Sequence, residues 1–534
     1  MEDAFRSRHR MQRRELLQSL AIASAGVFLP RSAIAQVRLS ENPFTLGVAS
    51  GSPTHDSVVI WTRLVLDAAD PLRLQQKPVA VRWELAHDEN FSRIVQTGQT
   101  QAVGALAHSV HAEVQGLEPD RWYFYRFITG GAASPVGRTR TFPAPDAVVA
   151  RLRLAYASCQ RWEHGYYSAY RHMRDENLDV VLFLGDYIYE YPNAGQAVRV
   201  PTGGWVVTLD DYRQRYALHK SDADLQAMHA ACPWVVTWDD HEVQNDYAGA
   251  APGNSGPPVP DFSARRAAAY QAFYEHMPVR ASVLTRAVAG LASGAEMRIY
   301  QRVPYGQLAS LYMLDARQYK DAQACTRDGK PGSSTLNPAS CATWNDPARS
   351  MLGLQQENWL DTEWGKAATK ERSWNLVGQQ SLFGQRDFRS GPGQVLWNDG
   401  WDGYSAARTR FTNSLRKHAL ANPVLLGGDV HENWVGHIKA DYADAASPSL
   451  GTEFCGTSLT SRSAGNAKIP AILAENPHFV FADSERRGYG VVELTPRKLT
   501  GTLRVVDDVT RADSGVQTLA QFSVQAGRPV VEKT

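Results

Sequence analysis

Beyond Arg151 the chain alternates short apolar runs with stretches of helical periodicity, the pattern of an α/β domain. Four of the runs end in side chains able to bind a metal. The run 154–159 ends in Cys159, 181–189 carries Asp186 and Tyr189, 235–242 ends in Asp239, Asp240, His241 and Glu242, and 424–431 ends in Asp429 and His431. Runs this short, rich in Val and Leu and broken by Gly, predict buried strands rather than helices. In a sheet flanked by helices, ligands gather at the carboxyl ends of strands. Helices are predicted over 165–177, 209–230, 264–275, 354–368 and 404–420, and strands return between 488 and 506.

Before Arg151 the period changes to two. Val79, Val81, Trp83 and Leu85 alternate with Ala80, Arg82, Glu84 and Ala86, which predicts a half-buried strand. The stretch from Leu117 to Tyr125 resembles the turn into a late strand of a fibronectin type III sandwich, where a corner tyrosine bonds back to the backbone upstream. A β-sandwich over 42–145 is therefore expected, with Pro143-Ala144-Pro145-Asp146 as linker to a larger domain over 150–525. Two long insertions, 248–262 and 322–347, are expected to be either functional rims or disordered.

Residues 1–35 read as a leader. Arg13-Arg14 precedes an uncharged stretch to Leu29 and the small-residue cleavage signature Ala33-Ile34-Ala35. The apolar stretch falls short of the roughly 20 residues a bilayer requires. Paired arginines point to twin-arginine export, with that translocase as a transient partner and a periplasmic or secreted mature protein; an ordinary secretory leader is the alternative.

Composition narrows the functions. A formal charge of +1 and a pI near 7.7 give no polyanion-binding surface, and no stable nucleic-acid or membrane partner is predicted. The five cysteines, Cys159, Cys232, Cys325, Cys341 and Cys455, are odd in number for an oxidising compartment. Cys325 and Cys341 flank a Gly-, Pro- and Ser-rich loop that a disulfide would close; Cys232 with Cys455 is the weaker pairing, and buried free thiols throughout are the alternative.

The four run ends define chemistry together. Asp186, after a glycine, can bridge two metals. Tyr189 can reach the same point, but a phenol with pKa near 10 ligates only a strong Lewis acid. Cys159 adds a thiolate and His431 an imidazole, a donor set that suits Fe³⁺ better than Zn²⁺ or Mg²⁺. Asp186, Asp240 and Asp429 offer only anionic oxygen, which favours Ca²⁺. Asp239 and Asn245 could supplement them, and His241 can point at substrate. Arg161 and Arg317 are either phosphate clamps or salt-bridge partners.

In combination, Ala157-Ser158-Cys159-Gln160, Gly185-Asp186-Tyr187-Ile188-Tyr189-Glu190, Thr237-Trp238-Asp239-Asp240-His241-Glu242-Val243 and Gly428-Asp429-Val430-His431 resemble the alkaline phosphatase D family. This is the purple acid phosphatase-like branch of the calcineurin-like metallophosphatases. The resemblance implies a four-layer αββα catalytic sandwich, an Fe³⁺–Ca²⁺ centre and hydrolysis of phosphate esters at alkaline pH with a metal-held hydroxide as nucleophile. His241 is the implied contact to the phosphoryl group or proton donor to the leaving alkoxide. The superfamily's Asn and His at the second metal are Asp240 and Asp429 here, which accords with Ca²⁺. An iron redox protein and a non-catalytic binding protein are the rival classes. Monoester against diester, the natural substrate and the oligomeric state stay open.

Overall fold

The structure is a computed structural model that describes residues 41–66, 77–193, 195, 197–285, 296–444 and 446–534. The leader assigned to residues 1–35 lies outside the described residues.

Two large sheets organise the chain. The first has ten strands in the order Val531–Lys533, Val516–Gln525, Lys498–Val506, Gly488–Leu494, Leu152–Ala157, Val180–Phe183, Trp234–Val236, Val48–Gly51, Ser57–Arg63 and Ser109–Gln115. Its middle strands, Leu152–Ala157, Val180–Phe183, Trp234–Val236 and Val48–Gly51, run parallel. The second has seven, in the order Gln301–Tyr305, Ala309–Met313, Trp374–Gly378, Pro423–Gly427, Ser449–Cys455, Asn433–Lys439 and Phe479–Asp483. From Ala309–Met313 to Ser449–Cys455 it too is parallel.

The parallel strands are apolar throughout because both their faces are covered. Leu154, Leu182 and Val235 of the first sheet meet Leu311, Leu376 and Leu426 of the second in one core. On the far side of the first sheet, Ala155, Val181 and Phe183 pack against Tyr170, Tyr212, Met228 and Phe273 from helices. On the far side of the second, Val377 and Leu425 pack against Leu360, Trp364, Phe411 and Leu415.

Helix boundaries follow local capping. The helix expected over 209–230 divides into Leu209–Lys220 and Ala223–Ala231, because Asp222 caps the second by accepting from the amides of Asp224 and Leu225. The stretch 354–368 likewise ends at Gly365, followed by extended Lys366. The other three form Ser168–Arg174, Phe262–His276 and Ser405–His418.

At the amino-terminal end, Val48, Ile60 and Val110 face Val81, Leu85, Tyr123 and Phe127 across a separate core. Tyr123 accepts a hydrogen bond from the Glu118 amide, five residues upstream, at 3.0 Å. Glu84 departs from the alternation around it: it is buried and paired with Arg82 at 2.7 Å and Arg126 at 2.8 Å. The sequence puts a linker at 143–146, yet three strands before it belong to the ten-stranded sheet. Gly51 pairs with Trp234, and the Ser52 amide donates to the Trp234 carbonyl at 3.2 Å. A Cβ on Gly51 would come within 2.6 Å of that carbonyl, so the junction demands glycine.

Cys325 and Cys341 form a disulfide. The weaker pairing is corrected: Cys232 and Cys455 are both free thiols, because they sit in different cores, one beside the first sheet's helices and one against Trp434 beyond the second sheet. Among the described residues no helix is long and apolar enough to cross a membrane.

Candidate metal centre

Strands Leu152–Ala157, Val180–Phe183, Trp234–Val236 and Pro423–Gly427 deliver their following residues to one point between the sheets. Cys159, Asp186 and His431 place ligand atoms within 4.8 Å of one another, as do Asp186, Asp240 and His241. Tyr189 joins them, donating to Asp186 Oδ2 at 2.9 Å and standing 3.3 Å from His431 Nε2. Asp429 belongs to none of the close ligand groups; burial, then Asp240 and Asp399, push its carboxyl up to about 7 against the pull of Arg317. Cys159, Asp186, Tyr189 and Asp240 are buried, whereas Asp429 and His431 are half-buried.

The backbone is bent to achieve this. Cys159, Asp186, Asp429 and His431 have φ of 59°, 58°, 65° and 58°, in the left-handed region that side chains rarely adopt. Four such residues converging on one point mark a site where the surroundings hold strain in place. Gly185, at φ 112°, lets the ends of two strands approach, since a Cβ there would lie 2.5 Å from Asp239 Cβ. Gly428 likewise has room for no Cβ, which would lie 2.2 Å from Ser158 Oγ.

A cation fits the donors that are present. Asp186 Oδ1 and Asp240 Oδ1 are buried without any hydrogen-bond partner, a costly state unless something positive satisfies them. Desolvation, and then the charge of Asp186, raises both the Cys159 thiol and the Tyr189 phenol well above their usual range, so each needs a strong Lewis acid to ionise. His431 is ready to ligate as it stands: burial holds its pKa down at about 3, and its Nδ1 is fixed by the Arg462 carbonyl at 2.8 Å, leaving Nε2 toward the cluster.

Around these residues is a supporting layer that the motifs only partly announced. Glu242 accepts from the amides of Asp186, Tyr187 and Asp239 at 3.1, 2.5 and 2.8 Å, tying two strand ends together. Glu190 accepts from the Asn245 amide and pairs with His241 Nδ1, both at 2.7 Å. Burial alone would lower the His241 pKa, but Asp186, Glu190 and Asp240 prevail and hold it well above the usual imidazole range. Ser461 bonds Tyr189 Oη at 2.6 Å and the Cys159 carbonyl at 2.9 Å. It lies in no motif, and nothing in the sequence singles it out. Asp399, another residue outside every motif, joins Asp240 and Asp246 in a third acidic group. The insertion 322–347 leans on that group, with Ser333 Oγ donating to Asp246 at 2.7 Å.

Both arginines stand among carboxylates near the cluster. Arg317 is buried and committed to carboxylates: it donates to Asp239 and to Asp399 (2.7 Å) and lies 3.6 Å from Asp240. Its Nε and Nη1 are committed to carboxylates, which makes it a charge partner, while Nη2 makes no hydrogen bond to Asp240 at that distance. Arg161 lies 3.6 Å from Glu163, donates to the Tyr191 carbonyl at 2.9 Å and sits over the Tyr189 and Tyr191 rings at 4.7 and 4.3 Å. Asp239, turned toward Arg317, is no ligand in this arrangement.

A cluster of thiol, phenol, imidazole and carboxylates at the carboxyl ends of parallel strands defines an α/β protein with groups that could hold metal ions. Family models agree on which. Residues 154–503 match the PhoD-like phosphatase, and residues 31–143 match the PhoD-like phosphatase, N-terminal domain. Alkaline phosphatase D of Bacillus subtilis (strain 168) is 44% identical over 502 residues, covering 92% of this chain and 83% of that protein. A solved structure titled "Structure of PhoD" superposes with a TM-score of 0.85 at 44% identity, covering 93% of each chain. The chain belongs to the PhoD-like phosphatase family, and it is a hydrolase of phosphoric ester bonds.

Proposed function

We propose that the chain is an exported alkaline phosphatase or phosphodiesterase working through an Fe³⁺–Ca²⁺ pair. Cys159, Tyr189, His431 and Asp186 would hold Fe³⁺, while Asp186, Asp240 and Asp429 would hold Ca²⁺. The observation that carries this reading is the pair of orphaned oxygens, Asp186 Oδ1 and Asp240 Oδ1, beside a thiol and a phenol that only a strong Lewis acid would ionise. When bound, the two cations would neutralise charge on the phosphoryl oxygens and activate water as nucleophile. His241 stands beside Asp186 and Asp240 with Nδ1 held by Glu190, the position of a group that contacts the phosphoryl oxygens or protonates the leaving alkoxide. Arg317 balances the second-site carboxylates from behind. The stacking of helices, sheet, sheet and helices supports a four-layer αββα catalytic unit, and the amino-terminal sandwich with its corner tyrosine supports a fibronectin type III-like module. The arginine pair and the cleavage signature in residues 1–35 support delivery to the periplasm or exterior by the twin-arginine translocase.

The test uses protein exported with its own leader. Hydrolysis of bis-p-nitrophenyl phosphate and p-nitrophenyl phosphate is expected to vanish with a Ca²⁺ chelator, return with Ca²⁺ and track one iron per chain. Activity indifferent to chelation, or iron-free active enzyme, would reject the metal assignment; the ratio of the two rates identifies the ester class.

A further inference from the structure

Three aromatic side chains are substantially exposed among the described residues: Trp205 at 40%, Phe388 at 37% and Trp397 at 36%. Trp205 alone of these is joined by ring contacts to the metal centre. Its indole lies 5.2 Å from the Tyr191 ring, Tyr191 lies 5.6 Å from His241, and His241 lies 4.2 Å from Tyr189, which bonds Asp186. The outer pair is also braced. Arg161 covers the Tyr191 ring at 4.3 Å and donates to its carbonyl, while the backbone at Gly256 presses on the six-membered ring of Trp205 so closely that a Cβ would sit 2.8 Å from it. A freely mobile surface tryptophan needs no such support.

Asp240, Asp246 and Asp399, with Arg317 and Lys320 against them, form a charged group beside the cluster, whereas Tyr191 and Trp205 form an aromatic pair. We propose that Tyr191 and Trp205 form the leaving-group subsite, a stacking platform for phosphate esters whose alcohol carries a flat ring. This rests on the phosphoesterase reading above. A proton passing from His241 to the leaving oxygen would set that oxygen beside Tyr191, and a ring attached to it would lie along Tyr191 and Trp205. An exposed aromatic face gains by covering apolar area, and stacking adds to that gain. Aromatic rings, nucleobases and sugar rings all present such a face.

The experiment compares 1-naphthyl phosphate with methyl phosphate on metal-loaded enzyme, as a ratio of kcat/KM values, in the parent, Trp205→Ala and Trp205→Phe. The ratio is expected to fall about tenfold in Trp205→Ala, about 1.4 kcal/mol, chiefly through KM for the naphthyl ester, and to recover to within about threefold of the parent in Trp205→Phe. Repeating the ratio with a nucleoside 5′-monophosphate and with glucose 6-phosphate identifies which ring gains from the platform. An unchanged ratio in an active Trp205→Ala enzyme overturns the subsite and leaves the phosphoesterase reading intact. A metal-loaded parent that hydrolyses none of these esters overturns that reading instead.

Discussion

Replacing Arg317 by Met separates a structural cation from a substrate clamp. The guanidinium is buried, donates to Asp239 and Asp399 and stands 3.6 Å from Asp240, and Lys320 compensates only Asp399, at 2.6 Å. Removing one partner of a buried ion pair costs about 3–5 kcal/mol, because the remaining charges are left uncompensated. For a chain of this length the unfolding entropy is roughly 1 kcal/mol per degree, so Tm is expected to drop by about 3–5 °C. The loss should be greater after chelation, since a bound divalent cation takes over part of the charge that Arg317 balanced. The assay is differential scanning fluorimetry at one scan rate, with and without chelator, beside KM for p-nitrophenyl phosphate and metal content. A variant that melts within about 1 °C of the parent, keeps its metal and binds ester more weakly would refute the charge-balance argument and restore Arg317 as a clamp.

Three further outcomes are expected. In Glu190→Gln the His241 pKa should fall, because an anion 2.7 Å from Nδ1 becomes neutral. With protonated His241 as the acid, the alkaline limb of kcat/KM then moves to lower pH; an unmoved limb rules His241 out as the titrating acid. Burial holds His111 neutral, with its pKa lowered from 6.5 to about 4, so its contribution to stability is present above pH 6.5 and is lost as pH falls toward 4. At 1.36 kcal/mol per unit that is about 3 kcal/mol, and His111→Gln should flatten the acid side of a Tm-against-pH curve; an equally steep curve would place the acid sensitivity elsewhere. Reducing the Cys325–Cys341 bond, which closes a loop of sequence separation 16, should cost about 3 kcal/mol of unfolded-state constraint. Melting with and without reductant, against Cys325→Ser as control, measures it; identical curves would show that the loop contributes nothing to global unfolding.

How much of this was readable beforehand depends on the range of the interactions. Asp186, Asp240 and Asp429 announce themselves because each ends a local apolar run, and strand ends are where such folds collect ligands. Tyr189 and His431 follow within three residues of those aspartates, so spacing sufficed. The supporting layer was harder. Glu190 and Glu242 stand inside the quoted motifs, but their tasks, orienting His241 and tying amides from two strand ends, depend on pairings across 51 and 55 residues. Ser461 and Asp399 had no signal, for they sit in loops and reach the site by closure of the second sheet. Left-handed backbone at Cys159 and His431 was equally hidden, since neither residue type demands it. Arg317 could be read both ways from the sequence, and of its three carboxylate neighbours Asp239 and Asp399 lie 78 and 82 residues away in the chain.

The junction between Gly51 and Trp234 has a consequence for how the molecule lives and dies. A module that merely tethered to an enzyme could be trimmed away, shuffled onto another protein or lost. Here it supplies the neighbour of Trp234–Val236, the strand that leads directly into Asp239 and Asp240. Truncation before residue 146 would bare a hydrogen-bonding edge inside the catalytic sheet, an invitation to self-association. Trp61 donates to the Glu275 carbonyl at 3.1 Å and would leave that helix end unsheltered as well. The two regions should therefore melt in one calorimetric transition and be inherited as one unit.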